Sequence, residues 1–491
     1  MSDDGTMANH FPVDRNDVAL VKSAHPANWQ NPDPAGGYDL VVLGAGPAGL
    51  TAAWQAVKLG ATVALVERRL LGGECINVGC IPSKALIRTS RLYADIRDAE
   101  NFGAETPRHL HVDFAQAMTR LRRLRQRSGH ADSAERLAGE GIDVYFGEAQ
   151  FSGRDTVTVA GKTLRFKKAL IATGARPKLP SIPGLMEAGY LSNQNMFNLT
   201  KCPERLLIIG GGPLGCEAAQ AFCRLGAKVI LAQKDPMFLP REERDAAQIL
   251  SDSLARDGIE VHLNTTVVAV RTVDGRKVAD LVQEGDTTTV SVDEIITGVG
   301  RSPNVEDLAL CAAGVEYDAD GVKVNDHLRT TNARIFAAGD VCLEYKYTHA
   351  AEAAAGIAVQ NALALGRRRL SDLVIPWCTY TDPEIAHVGL YPAGARQKAV
   401  PVKTYTIMMH DVSRAVLDGE EEGFVKIHVK EGSDHIIGAT IVARHAGEMI
   451  STVTLAMTTG LGLRAIATVI NPFPTQSDAI RMAGVACEHN M

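Results

Sequence analysis

Two stretches of this 491-residue chain constrain its fold more than any other feature. The first, "YDLVVLGAGPAGLTAAWQAVKLGATVALVE", reads as a buried strand, a glycine turn, a helix and a second strand. Gly44, Gly46 and Gly49 fall where strand gives way to helix. Their missing side chains permit a tight turn, close approach of the backbone to a pyrophosphate, and close helix–strand packing. Glu67 ends the second strand, about 20 residues on, where an acid binds a ribose hydroxyl. The second stretch, "RLLIIGGGPLGCEAAQAFCRLGAKVILAQ", repeats the frame with Gly210, Gly212 and Gly215. Two such units imply two adenine dinucleotides. The natural pairing is a flavin held permanently, FAD, and a nicotinamide that comes and goes.

The length predicts about three domains. "RFKKALIATGARPKLPSIPGL" and "DEIITGVGRSPN" each run a strand into a Gly/Pro-rich turn, and both read as crossings between domains. "ARIFAAGDV" is an apolar strand that delivers Asp340 at its C-terminal end. Ligands bind at strand ends in open α/β sheets, so Asp340 is placed for a flavin ribityl hydroxyl. From about Pro376 the pattern changes to mixed strands and two helical runs, a third domain.

Hydrophobic residues make up 46% of the chain and charged residues 22%, the balance of an ordinary globular protein. A formal charge of −6 argues against a nucleic-acid partner. The polar, acidic start "MSDDGTMANHFPVDRND" has no signal-like apolar region, and the longest apolar run is the first nucleotide unit, so no membrane span is expected. Nine cysteines, mostly scattered singly in apolar segments, fit buried free thiols in a reducing cytoplasm.

Two of the nine stand close together in "GGECINVGCIPSKAL". Cys75 and Cys80 admit three readings: a static disulfide, half a metal site, or a redox pair. A zinc site needs a second ligand pair or histidines downstream, and none is present, so no metal site is expected. A static disulfide sits poorly with a reducing compartment. The redox reading has positive support, because the pair follows the first dinucleotide unit directly and so lies beside the flavin. Pro82 suits a helix's first turn, which puts Cys80 near a helix N-terminus that favours a thiolate. Lowering a thiol from about 8.5 by about two units takes about 2.7 kcal/mol, within reach of a helix end plus a nearby cation. Electrons then run from nicotinamide to flavin to disulfide to substrate.

"GGECINVGCIPSK" resembles the redox motif of the flavin-dependent pyridine nucleotide–disulfide oxidoreductases, among them dihydrolipoamide dehydrogenase, glutathione reductase and mercuric reductase. "ATGARP", "TGVGRSPN", "AAGDV" and "YTDPEIAHVGL" resemble the family's other signatures, and the likeness runs from about residue 38 to the end. The resemblance implies an α/β fold of two Rossmann-like dinucleotide-binding domains plus a C-terminal α+β dimerisation domain. The expected boundaries are an N-terminal extension at 1–36, an FAD domain at 37–181 and 302–368, an NAD(P) domain at 182–301, and a dimerisation domain at 369–491. It makes Cys80 the flavin-proximal charge-transfer thiol and Cys75 the interchange thiol. Lys84 is expected near the flavin ring, paired with Glu217. Thr173, Gly174 and Asp340 are expected to touch the flavin nucleotide, as are Ala149 in "GEAQF" and His349 in "YTHAAE". A homodimer whose sites combine two chains is implied too.

The chain departs from the disulfide reductases where they carry "HPT…E". Here "NPFPTQSDAI" puts Phe473 at the histidine position and Asp478 at the glutamate position. A phenyl ring cannot move protons, so that site lacks general acid–base help. Mercuric reductases also lack the histidine, and "HAGEMI" and "DGEEEGFVKIHV" look most like that branch. Those enzymes end in adjacent cysteines, whereas here Cys487 stands alone in "GVACEHNM"; alone or with His489 it is a candidate soft-metal ligand, against the commoner reading of an incidental tail cysteine.

Residues 1–36 read as a linker-like extension. The five arginines in "TRLRRLRQR" read as the solvated face of an amphipathic helix, with Met118, Leu121 and Leu124 opposite. Cys216, Cys223, Cys311, Cys342 and Cys378 read as core packing.

The expected function is an FAD enzyme that takes hydride from NAD(P)H and passes two electrons through Cys75/Cys80 to a thiophilic acceptor. Mercuric ion or a related metal–thiol species leads. The alternatives are a dihydrolipoamide dehydrogenase-type disulfide reductase and a non-catalytic nucleotide-sensing flavoprotein. NADPH is expected over NADH. Gln233 stands where NAD-specific folds place an acid, Lys234 adds a cation, and Arg241 is available to a 2′-phosphate. His445 is a possible substitute base.

Overall fold

The computed structural model describes residues 13–105, 111–364 and 366–489. The first glycine-turn unit belongs to a parallel sheet in which Ile142–Phe146, Val63–Glu67, Tyr38–Leu43, Lys162–Ile171 and Ile335–Ala337 lie side by side. Tyr38–Leu43 and Val63–Glu67 are near-continuous apolar runs because both faces of the sheet are covered there, whereas Lys162–Ile171 alternates until its buried end at Ala169–Ile171. The second unit repeats the order with Glu260–His262, Lys228–Ala232, Arg205–Ile209 and Glu294–Thr297, all parallel. An antiparallel meander, Thr265–Val273, Arg276–Gln283 and Asp286–Val292, is attached to it.

The two glycine turns are built alike. Gly44 and Gly210 take φ of +99° and +107°. A Cβ on Gly49 would lie 1.8 Å from the carbonyl oxygen of Gly44, and one on Gly215 would lie 1.9 Å from that of Gly210. Any side chain there would push helix off strand. Pro47 and Pro213 open the two helices, Pro47–Lys58 and Pro213–Arg224, and neither start is capped by a side chain.

The two segments read as crossings meet as one ribbon: Ala175–Pro177 pairs antiparallel with Arg301–Pro303. Beyond them lies a five-stranded antiparallel sheet ordered Pro376–Thr379, Glu384–Gly389, Ile436–Ala443, Phe424–Lys430 and Val402–Met408. Helices Ala446–Thr459 and Asp478–Glu488 close its core.

The N-terminal segment corrects the linker-like reading. Residues 1–12 lie outside the described residues. From residue 13 the chain is folded onto the first domain. Helix Arg15–Ala24 is capped by Asp14 and buries Asp17, Leu20 and Ala24 completely. Downstream, Trp29 Nε1 donates to the Val144 carbonyl at 3.0 Å, and Asn31 makes a reciprocal pair of 2.8 Å bonds with the Phe146 backbone.

The arginine-rich helix Phe114–Gly129 is corrected by the same contact. Arg122 and Arg125 are 3% and 1% exposed, facing the N-terminal helix rather than water. The charge pattern misleads because two aspartates about 108 residues upstream complete the face. Among the single cysteines, Cys216 is buried, Cys223, Cys342 and Cys378 are half-buried, and Cys311 is exposed, so Cys311 is not core packing.

Candidate active site

Cys80 is the first residue of helix Cys80–Asp98, with Pro82 inside its first turn. Cys75 has a short helix of its own, Gly73–Asn77. That helix begins against the first glycine turn: a Cβ on Gly73 would lie 2.6 Å from the Gly46 Cα. The sulfur pair is thereby fixed beside the glycine-turn end of the first sheet.

The two thiols are electrostatically unlike. A hydrogen bond from Cys75 is the largest influence lowering the Cys80 thiol to about 6; Thr348 and the charge of Lys84 add to it, against burial and Glu217. The Thr348 hydroxyl lies 3.3 Å from Cys80 Sγ. The Cys75 thiol is pushed up, first by donating to Cys80 and then by burial. The bond from Cys75 to Cys80 thus favours a thiolate at Cys80 and the proton on Cys75.

Lys84, one helical turn on, donates to both oxygens of Glu217 at 2.9 and 3.1 Å. The pairing expected from the resemblance is therefore present. Tyr380 N donates to the same Glu217 at 2.9 Å, and Lys84 Nζ sits 4.5 Å from the Tyr380 ring centroid. Burial pulls the Lys84 pKa down, but Glu217 more than offsets it, so the amine stays charged.

Glu67 Oε2 accepts the N–H of Ala45, between Gly44 and Gly46, at 2.8 Å. Gln233 Oε1 takes the equivalent N–H, that of Gly211, at 2.9 Å. Each side chain therefore braces its own glycine turn. Burial raises the pKa of Glu67, partly offset by the N–H groups of Ala45 and Arg69.

Gln233 also donates to Asp235 at 2.8 Å. Lys234 is exposed beside it. Arg241 lines a cavity of about 1010 Å³ together with Tyr391, Arg396 and Lys426.

Thr173 and Gly174 are latched to the return crossing: Thr173 Oγ1 donates to the Asn304 carbonyl at 2.8 Å, and Asn304 N donates to the Gly174 carbonyl at 2.9 Å. Ala149 starts a short edge strand next to Gly147, whose N–H donates to the Glu67 carbonyl at 3.0 Å. His349 Nε2 lies 2.7 Å from the Pro376 carbonyl, one residue beyond Thr348.

Sequence reasoning missed Thr348, Glu74 and Arg301. Arg301 donates to Glu74 at 2.5 Å and to the Ala175 carbonyl at 2.8 Å, and its Nε lies 3.3 Å from Asp340. Glu74 precedes Cys75, and Arg301 opens the ribbon strand of the second crossing, so "GEC" and "GVGR" carried the only local signal. Burial raises the pKa of Asp340, with Arg301 pulling the other way.

On the C-terminal side, Phe473 is 79% exposed. Asp478 is held by Arg481 at 2.6 Å. His445 lies 3.6 Å from Glu420 on the C-terminal domain. Cys487 is fully buried in that domain's core. Among the described residues, no group of three or more His, Cys, Asp or Glu side chains is arranged to hold a metal.

Residues 38–355 match the family described as pyridine nucleotide-disulphide oxidoreductase, and residues 375–483 match its dimerisation domain. The chain belongs to the pyridine nucleotide-disulphide oxidoreductases. It is 32% identical to a mercuric reductase of Staphylococcus aureus over 93% of this chain and 83% of that one. It is 33% identical to a dihydrolipoyl dehydrogenase of Thermus scotoductus over 91% of this chain and 97% of that one. It is similar in structure to a Cu(II) complex of the HOCl-induced flavoprotein disulfide reductase RclA from Escherichia coli. The TM-score is 0.81 at 28% identity, covering 90% of this chain and 98% of that one.

Oxidoreductases of this family use FAD and NAD(P)H. The residues present fit both groups. Two helix N-termini without side-chain caps follow side-chain-free turns and leave backbone donors for pyrophosphates. The buried carboxyl of Glu67 ends its strand, and the half-buried carboxyl of Asp340 lies three residues past the end of strand Ile335–Ala337 in the same sheet. No helix among the described residues is long and apolar enough to cross a membrane.

Proposed function

We propose that this chain is an NADPH-dependent reductase of a thiophilic acceptor, mercuric ion or a related metal–thiolate, acting through Cys75 and Cys80 as a homodimer. Bound FAD supplies the chemistry that takes hydride from the nicotinamide and hands two electrons to the sulfur pair. Gly44, Gly46, Gly49 and Glu67 hold its adenine end, with Ala149 nearby. Thr173, Gly174, Asp340, Lys84 and His349 hold the rest. Gly210, Gly212, Gly215, Gln233 and Lys234 hold the nicotinamide dinucleotide.

Cys80 keeps its charge first through the hydrogen bond from Cys75 and then through Thr348 and Lys84, and Cys75 meets the acceptor. The stoichiometry balances: NADPH and a mercuric dithiolate give NADP⁺, Hg(0), one thiol and one thiolate.

The observation that carries this reading is the C-terminal segment. Phe473 has no proton to give, and Asp478 is tied to Arg481 rather than left to orient a base. A disulfide substrate needs a proton moved at sulfur, for which a positioned base contributes about 10²–10⁴-fold. A metal–thiolate exchanges anionic ligands and needs less. The copper complex of one relative supports including Cu(II) among acceptors. Exposed apolar side chains on the C-terminal domain, including Leu455, Ile470 and Phe473 at 63%, 95% and 79%, support pairing with a second copy. Cys487, buried as it is, takes no part in handing over metal.

The test is anaerobic reduction by NADPH followed by Hg(II) with excess thiol, Cu(II), lipoamide, glutathione disulfide and quinone as acceptors. Metal turnover with poor lipoamide and glutathione disulfide rates is expected. Lipoamide turnover on the order of 10–10³ per second would overturn the proposal in favour of a dihydrolipoamide dehydrogenase-type enzyme.

A further inference from the structure

We infer that Arg125, held in place by Asp17 of the N-terminal helix, is a positioning residue for Cys75. The inference rests on the proposed redox role of the Cys75/Cys80 pair. Arg125 is 1% exposed. Its guanidinium donates to Asp17 Oδ1 at 2.5 Å and to the Asn77 carbonyl at 3.0 Å. Asn77 is the last residue of the five-residue helix that carries Cys75. The Asn77 side chain ties that helix to itself, donating to the Leu71 and Gly73 carbonyls at 3.0 and 2.8 Å. Packing converges on the same place: a Cβ on Gly129 would lie 2.5 Å from Leu20 and 3.5 Å from Ile76. The N-terminal helix, the arginine-rich helix and the Cys75 helix therefore meet at one point. The first of these precedes the family match, which begins at residue 38.

A helix this short is not stable alone, and its last carbonyls have no partners within it. A cation at that end is favoured, and a charge-assisted bond is stronger than a neutral one. Disulfide geometry is narrow. Cys80 is fixed in a 19-residue helix, so the position of the Asn77 end sets how readily Cys75 comes within bonding distance. Asp17 keeps the buried guanidinium neutralised where it has to stay.

The fold contains its own control. Asp14 and Arg122 join the same two helices at 2.7 Å, and Arg122 is 3% exposed. The other bond of Arg122, 3.3 Å to Thr119, stays within its own helix. Arg122 is thus nearly as buried as Arg125 and carries the same charge, although its partner Asp14 is 23% exposed where Asp17 is fully buried, and among the described residues it makes no hydrogen bond to the Cys75 helix.

The holoenzyme is equilibrated in dithiothreitol redox buffers, in which two reductant thiols become a disulfide as the Cys75–Cys80 bond breaks. Thiol content and thermal midpoint are read together. In Arg125→Gln the equilibrium constant for the pair is expected to shift at least about tenfold, about 30 mV for two electrons. Arg122→Gln should also lower the thermal midpoint, by less because Asp14 is partly exposed, and leave the constant within about twofold. Asp17→Asn, which keeps the shape and removes the charge, should reproduce the Arg125→Gln shift and serves if that variant fails to fold. Arg125→Lys should recover part of it. Equal shifts in the Arg122 and Arg125 variants, or none in either, overturn the inference alone. A wild type with no reversible Cys75–Cys80 disulfide overturns the redox-pair reading and the inference with it.

Discussion

Lys84 Nζ lies 2.9 Å from Glu217 Oε2, and with the Tyr380 ring stacked near the same amine, three domains meet at one charge. Lys84 comes from the redox helix, Glu217 from the helix of the second glycine-turn unit, and Tyr380 from the segment after the first strand of the C-terminal sheet. The positive charge that favours a Cys80 thiolate is thus held in place by the domain proposed to bind the reductant. This arrangement and its neighbours make four measurements decisive.

The two-electron-reduced holoenzyme should show a long-wavelength thiolate-to-flavin absorption band. Cys80 begins its helix and is the thiol lowered to about 6. Cys80→Ser should abolish the band, and Cys75→Ser should show it without reductant. A wild type that reduces directly to colourless flavin refutes the wiring.

The Cys80 charge depends on two side chains that can be removed singly. Thr348→Val takes away the hydroxyl at 3.3 Å, and Lys84→Met takes away the cation. With a thiol near 6, about half of Cys80 is thiolate at pH 6. Each substitution should raise that pKa, and iodoacetamide alkylation at pH 6 should slow several-fold. An unchanged pH profile in both variants would show that the hydrogen bond from Cys75 alone sets it.

NADPH should be preferred to NADH, and Gln233→Glu should move the preference toward NADH. A carboxylate at that position repels a 2′-phosphate by roughly 1 kcal/mol in water and about 4 nearer the protein. The ratio of the two kcat/KM values should fall at least about fivefold. The variant keeps an oxygen for the Gly211 N–H, as Glu67 does for Ala45, but it loses the bond to Asp235 and sets two carboxylates together, so its thermal midpoint is measured alongside. Wild type with equal or better kcat/KM for NADH contradicts the prediction.

Arg224 joins the second domain to the C-terminal one, bonding Asp257 and Asp382 at 2.8 Å each while 7% exposed. Arg224→Met should cost about 3–5 kcal/mol at pH 7, the cost of stranding a buried charge. Burial pushes the Asp382 carboxyl up, but the Arg224 charge more than offsets it, leaving the pKa below the usual 3.8. The sign follows: stability from this group is present above about pH 4 and is lost as pH falls through the lowered value. The difference between wild type and variant in urea unfolding should therefore shrink below about pH 4. A constant gap from pH 7 to 3 would exclude Asp382 as the linked group.

The sequence by itself determined the features whose physics is local. Gly44 and Gly49, or Gly210 and Gly215, are five residues apart, and the clash that demands glycine lies within that span. The same holds for Cys80 at a helix start, with Pro82 in its first turn. The Lys84–Glu217 pair was reached by resemblance, since nothing local links residues 133 positions apart. Only the tertiary structure decided the rest. Thr348 reaches Cys80 across 268 residues, and Arg301 reaches Glu74 across 227. The arginine-rich helix shows most clearly why. A charged face reads as solvated unless its counter-charges are known, and Asp14 and Asp17 stand 108 residues away in a segment that looks like a linker. Hydrophobic periodicity reports which side of a helix can leave water. Whether an oppositely charged helix covers the other side is a matter of long-range packing, and only the fold supplies it.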